Sequence, residues 1–115
     1  MDPRATPLAT KNLEGQIYNL IETAQKQSSL KVGINEATKQ AMRGQAALII
    51  IAANASPLEV ALALPLVCED KGIPYVFVSE QEGIGRAAQV SRSAGAVAIL
   101  NSIDVSAMLH QIEML

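Results

Sequence analysis

The stretch Ala46-Ala47-Leu48-Ile49-Ile50-Ile51-Ala52-Ala53 is apolar at all eight positions. Its length and branching predict a central strand buried on both faces, which requires a covering layer on each side. Upstream, Leu13, Ile17, Leu20, Ile21 and Ala24 recur at helical spacing, so roughly residues 10–27 form an amphipathic helix. Leu30 to Val32 is a short strand candidate. Gly33 then breaks the chain, and Asn35 is a good N-cap for a helix running to Arg43 and stopped by Gly44. Downstream, Pro57 suits a first helical turn, whereas Pro65 should kink or split that helix before it ends at Gly72. Pro74 to Val78 reads as another buried strand, and Ser79 is placed to cap a short helix through Ala88. Ala96 to Leu100 is a fourth strand. Asp104 is placed to cap a last helix, whose Val105, Met108, Leu109, Ile112 and Leu115 share a face. The alternation predicts an α/β fold: a three-layer α/β/α sandwich with a small mixed four-stranded sheet.

The chain has 115 residues, room for one domain spanning 1–115 and too few for two independent cores. With 50% hydrophobic and 17% charged residues it has the composition of a packed globule, which excludes a disordered chain. The eight-residue apolar run is less than half of a membrane span of about 20 residues, so no membrane association is expected. The start, Met1-Asp2-Pro3-Arg4, lacks a basic segment followed by an apolar one, so no signal peptide is expected. A lone Cys68 excludes an internal disulfide, and a lone His110 leaves no cluster for zinc. A soluble chain compatible with a reducing compartment is therefore expected.

Net charge is −2, so no global basic field is available to hold nucleic acid. Only Tyr18, Tyr75 and Phe77 are aromatic, too few for a base-stacking sheet, and the last two sit within an apolar strand. The charge is uneven, however. Residues 1–50 carry six basic and four acidic side chains, against three and seven in 51–115. Between Lys26 and Arg43, four cations (Lys26, Lys31, Lys39, Arg43) face Glu36 alone. A polyanion should dock there.

Within that segment, Gly33-Ile34-Asn35-Glu36-Ala37-Thr38-Lys39 combines a glycine that permits close backbone approach with a helix N-terminus. One reading is ordinary: Asn35 caps, Glu36 favours the helix dipole and Lys39 pairs with Glu36 three residues back. The other explains a carboxylate amid cations. Glu36 would accept hydrogen bonds from guanine N–H groups, while Asn35 and Lys39 meet acceptors such as its O6. Pairing in an ordinary duplex hides guanine N1–H, so the target would be non-canonical RNA.

Gly83-Ile84-Gly85-Arg86-Ala87-Ala88 fits G-x-G-x-x-A, with Asp104 nineteen residues after Gly85, as a dinucleotide fingerprint asks. It also resembles the pyrophosphate-binding turn of acetyl-CoA-dependent acetyltransferases. Against both, Glu80 and Glu82 put negative charge where a pyrophosphate would sit. The plain alternative is that both glycines serve a turn and close packing, with Arg86 solvated. Val90-Ser91-Arg92 is a polar loop from which Arg92 could reach a phosphate or a base. Cys68 falls in an apolar helical run and reads as core, and His110 has no acidic partner at a diagnostic spacing. No nucleophile elbow or carboxylate pair stands out, so no enzymatic activity is expected.

Leu30-Lys31-Val32-Gly33-Ile34-Asn35-Glu36-Ala37-Thr38-Lys39, followed by Arg43-Gly44, resembles the G-x-N-E-x-T-K signature of the kink-turn-binding RNA protein superfamily. The similarity continues through Ala52–Glu59, Leu64–Lys71, Ile73–Val78, Gly85-Arg86 and Val90-Ser91-Arg92, covering nearly the whole chain. Thr6-Pro7-Leu8-Ala9 and Cys68-Glu69-Asp70-Lys71 look most like the eukaryotic branch, found in box C/D snoRNPs and the U4 snRNP. The archaeal ribosomal branch comes next.

The resemblance implies a monomeric, non-catalytic adaptor without cofactor or metal. Its ligand would be a kink-turn: tandem sheared G·A pairs, a sharp bend and one extruded nucleotide, as in box C/D snoRNA or U4 snRNA. By motif match Asn35, Glu36 and Lys39 would read the guanines, Gly33 would let the backbone close, and Lys31 would lie on phosphate. Val90, Ser91 and Arg92 would cover the extruded base, and Val60 would line its pocket. Further snoRNP or snRNP proteins would bind the combined protein–RNA surface. A nuclear or nucleolar location is implied, or a cytoplasmic one for a ribosomal or archaeal-type member. The chain departs from the eukaryotic pattern in four places: a basic residue is replaced by Val32, an acidic one by Ser56, a lysine by Gln81 and a proline by Ser93. The implication is a less selective pocket and one phosphate contact fewer. A ribosomal or H/ACA-type member shares the trio of side chains, and a small acetyl-CoA- or dinucleotide-binding enzyme would instead use the Gly83–Ala88 turn.

Overall fold

The computed structural model describes residues 2–115. The chain runs α1 (Lys11–Lys26), β1 (Leu30–Val32), α2 (Ile34–Met42), β2 (Ala46–Ala52), α3 (Leu58–Ala61), α4 (Ala63–Lys71), β3 (Tyr75–Val78), α5 (Gln81–Ala87), β4 (Ala96–Leu100) and α6 (Ser106–Glu113). The strands form one mixed sheet in the order β1-β4-β2-β3. β2 and β3 are parallel, and the helices α3 and α4 supply the crossover that such a pair requires. β4 returns between β1 and β2, antiparallel to both.

β2 and β4 are thus the interior strands, and Leu48 to Ala52 and Ala96 to Ile99 are fully buried. α1 and α5 pack together on one face of the sheet, and α2 with α4 on the other. The predicted three layers are present. The outer edge of β3 is covered rather than exposed: Phe77 donates its N–H to the Pro7 carbonyl at 2.8 Å, and Ala9 donates to the Phe77 carbonyl at 2.9 Å. The β1 edge is only three residues long and bears the exposed Lys31.

Helix boundaries follow the expected punctuation, with corrections at the caps. The helical pattern after Pro57 breaks at Leu62, between α3 and α4. A Pro65 N–H, had it existed, would have bonded back to the Ala61 carbonyl at that break. α2 starts with Gly33, not Asn35, at its N-cap, because Gly33 has φ 109° and turns the chain into helix one residue after β1 ends. Asn35 is therefore an exposed residue inside the helix. Ser79 does not cap α5 either. Its N–H and hydroxyl both donate to Glu14 of α1, at 2.9 Å each, and Glu80 occupies the cap position. Asp104 does serve the last helix, accepting from the Ser106 N–H at 3.0 Å, although Val105 stands between them. Leu115 is exposed, because α6 ends at Glu113 and the helical period ends with it.

The Gly83–Ala88 motif is not a strand-to-helix turn. Both glycines lie within α5 and are buried by close packing. A Cβ on Gly83 would collide with the Tyr18 hydroxyl, and one on Gly85 would lie 2.5 Å from the Arg92 carbonyl oxygen. Asp104, the would-be ribose ligand, is engaged by Ser106 through both its N–H and its hydroxyl. The dinucleotide or acetyl-CoA reading thus loses the loop it requires.

Two glycine substitutions separate helix propensity from packing. Gly15 in α1 is exposed with open space around its Cα, so Gly15→Ala should stabilise the protein by roughly 0.5–1 kcal/mol. Gly85→Ala gains the same propensity but drives a methyl into backbone, and should destabilise by about 1–3 kcal/mol. Denaturant midpoints of the two variants are expected to move in opposite directions.

Candidate nucleic-acid interface

Strand β1 carries the chain to the end of the sheet, and the Gly33 N–H is bound there by the Ala96 carbonyl of β4 at 2.8 Å. The positive φ of Gly33 then starts α2 without any side-chain cap. No atom lies within 4 Å of where a Gly33 Cβ would be, so backbone conformation and not crowding selects glycine here. The first turn of α2 consequently opens onto a cavity of about 640 Å³. Its floor and rims come from three connections: Val32 to Glu36, then Ser56, Pro57 and Val60, then Val90 and Arg92 to Gly95.

Six of the nine residues expected to form the site line this one cavity: Gly33, Asn35, Glu36, Val60, Val90 and Arg92. Lys39 lies one helical turn further on, in a shallow depression with Asn35, Thr38, Met42 and Arg43. Lys31 lies in a neighbouring hollow with Val32 and Val90. Ser91 is exposed and lines none of these hollows. Of the four departures, Val32, Ser56 and Ser93 line the cavity, whereas Gln81 does not.

The Glu36 carboxylate takes a hydrogen bond from Lys39 Nζ at 3.2 Å. That bond and the cation's charge hold the Glu36 carboxyl below the usual carboxylate range. Gln40 and Lys31 act in the same direction, so Glu36 is an ionised acceptor at neutral pH. Both members of the pair remain substantially solvated, with side chains 40% and 49% exposed. An exposed pair at this spacing contributes little to stability, so each partner is available to another ligand at small cost. The ordinary reading of the trio is therefore right about the Glu36–Lys39 contact and wrong about Asn35, which caps nothing in α2.

Ile34, Pro57, Ala94 and Gly95 also line the cavity and were not anticipated. Ile34 sits between two residues that the sequence did single out, whereas nothing in the context of Pro57, Ala94 and Gly95 marks them, since they meet only when the β2–α3 and α5–β4 connections fold together. Thr38, Met42 and Arg43 were legible in principle, since with Asn35 and Lys39 they recur at helical spacing along one face.

The aromatic rings offer no stacking platform. Phe77 is fully buried, and Tyr75 packs edge-on against it at 6.4 Å while donating its hydroxyl to Glu69. Cys68 is buried, and desolvation pushes its thiol up to about 11, which suits core rather than chemistry. His110 is exposed on α6. Among the described residues no metal-ligating cluster forms, and no helix is long and apolar enough to cross a membrane.

Residues 15–108 match the model of the ribosomal protein L7Ae/L30e/S12e/Gadd45 family. A 13 kDa ribonucleoprotein-associated protein of Kluyveromyces lactis is 46% identical over 111 residues, which are 96% of this chain and 87% of that protein. The small nuclear ribonucleoprotein associated homolog 13 of Caenorhabditis elegans is 46% identical over 99 residues, covering 86% of this chain and 77% of its own length. Among solved structures, the Giardia lamblia 15.5kD RNA binding protein superposes with a TM-score of 0.95 at 41% identity, over 99% of this chain and 98% of that one. These names and this fold are those of RNA-binding ribonucleoprotein proteins, not of enzymes. The alternation of strands and helices, the Gly33–Lys39 segment and the agreement of nearly the whole chain with these relatives lead to one conclusion: the protein belongs to the L7Ae/L30e/S12e/Gadd45 family.

Proposed function

We propose that residues 1–115 act as one kink-turn RNA-binding domain, a non-catalytic adaptor that nucleates box C/D snoRNP assembly for rRNA 2′-O-methylation, and U4 snRNP assembly, in the nucleus and nucleolus. One observation carries the reading. An uncapped helix N-terminus presents Asn35 and an ionised Glu36 at the mouth of a cavity whose far rim holds Val60 and Arg92. Glu36 accepts from the N1–H and N2–H of a sheared guanine, and Asn35 and Lys39 donate to base or phosphate acceptors. Backbone N–H groups at the start of α2 and the exposed Lys31 and Arg92 receive phosphate, so a local field replaces a global one. The extruded nucleotide enters between Val60 and the Val90–Arg92 loop, with Ser91 at its outer margin. The bent RNA and the adjoining protein surface then form a platform for further ribonucleoprotein proteins. The ribonucleoprotein names of the relatives support RNA and ribonucleoprotein partners.

A gel-shift or calorimetric titration with a box C/D kink-turn tests this directly. Glu36→Ala should weaken binding roughly five- to 150-fold. Guanine-to-inosine substitution at the sheared pairs should cost the native protein affinity and cost the variant little more. Equal loss for both proteins would rule out the carboxylate as the guanine reader. A panel with U4, ribosomal and H/ACA-type kink-turns fixes which assembly the chain serves, by rank order of affinity.

Val32 is half-buried at the cavity wall, where the eukaryotic pattern places a cation. Val32→Lys should add one phosphate contact and steepen the salt dependence of binding by about one unit of slope. An unchanged slope would show that no phosphate passes that point.

A further inference from the structure

The two rims of the cavity, Ser56–Val60 and Val90–Gly95, belong to different connections, and both are tied to the start of α5. The Gln81 N–H donates to Asn54 Oδ1 at 2.7 Å, while the Gln81 carbonyl accepts from the Ala94 N–H at 3.2 Å. Asn54 Nδ2 also donates to Glu82 Oε1 at 3.3 Å. No side chain of the α5 cap region serves the helix, so a residue 27 positions earlier supplies its N-terminal acceptor. α5 in turn carries the second rim with it. The Val90 N–H donates to the Gly85 carbonyl at 3.1 Å, and Gly85 lies directly against the Arg92–Ser93 backbone. Shifting the start of α5 therefore shifts Val90 and Arg92 relative to Val60.

We propose that Asn54 is a positioning residue: by bridging the β2–α3 turn to the start of α5, it sets the width of the cavity and hence its selectivity among extruded bases. The inference rests on the RNA-binding reading of the cavity, but Asn54 itself lines none of it. α5 does not depend on Asn54 alone for its place, because Ser79 is separately held by Glu14 through two hydrogen bonds. Removing the carboxamide should therefore loosen one joint and leave the fold standing.

The test uses the full chain with Asn54→Ala and Asn54→Asp, the latter made together with Glu82→Gln so that it keeps an acceptor for Gln81 without setting two carboxylates 3.3 Å apart. Without RNA, amide hydrogen exchange by NMR should show Gln81 and Ala94 opening about fivefold or more faster in Asn54→Ala, with Ile50 and Ile99 unchanged. With kink-turn RNAs carrying a purine, a pyrimidine or an abasic site at the extruded position, the spread of affinities between the two bases should narrow by about fivefold. Affinity for the abasic RNA and the guanine-to-inosine penalty should stay the same. Asn54→Asp with Glu82→Gln should restore both the protection and the spread. Unchanged exchange, an equal loss on every RNA including the abasic one, or no restoration by that double variant would each overturn the proposal. If the native chain ignores kink-turn RNA, the functional reading fails, and the exchange experiment alone decides whether Asn54 ties the rims.

Discussion

The hydrogen bond from the Gly33 N–H to the Ala96 carbonyl pins the point where β1 stops and α2 starts. Because β4 lies between β1 and β2, that bond anchors the helix N-terminus to an interior strand rather than to an edge. Gly33 then leaves the sheet at φ 109°, a conformation that other residues adopt only with strain. What α2 presents to the cavity follows from this turn. Asn35 and Glu36 project from the first turn of α2, and the cavity beneath them is closed by the two neighbouring connections at the same end of the sheet.

Electrostatics at the site is local by construction. The chain as a whole is mildly acidic, yet the exposed cations Lys31, Lys39, Arg43 and Arg92 sit on or beside the surfaces around α2. Within them the Glu36 carboxyl is held below the usual carboxylate range by its bond to Lys39. The contact buries neither side chain, since both remain substantially in water. An exposed pair of this kind exchanges partners cheaply, whereas a buried pair would resist it.

α5 illustrates how close packing can imitate a ligand motif. Gly83 and Gly85 are needed because Tyr18 crosses one and the Arg92–Ser93 backbone crosses the other. In sequence that requirement has the same spelling as a phosphate loop. The distinction lies in where the helix begins: α5 starts at Gln81, before the first glycine, so the glycines are already inside it. The packing at Gly85 also couples the helix to the loop that forms one wall of the cavity.

By itself the sequence determined the layer order and the mixed four-stranded sheet, because Ala46–Ala53 could only be a doubly covered strand and the helical patterns on either side supplied the covers. It also marked Gly33, Asn35, Glu36 and Lys39, although residue types alone allowed an ordinary helix start as well as a ligand-facing one. The start of α5 was a part it could not assign, since the acceptors for the Gln81 and Ser79 N–H groups come from Asn54 and Glu14, far away along the chain. Only the tertiary structure decided which side chains share the cavity. Pro57, Ala94 and Gly95 carry no local signal, and Ser91 is exposed without lining the space that its neighbours Val90 and Arg92 line. The reason is physical: periodicity reports the face a residue presents within its own element, whereas a cavity formed by three loops depends on how those elements are held against one another.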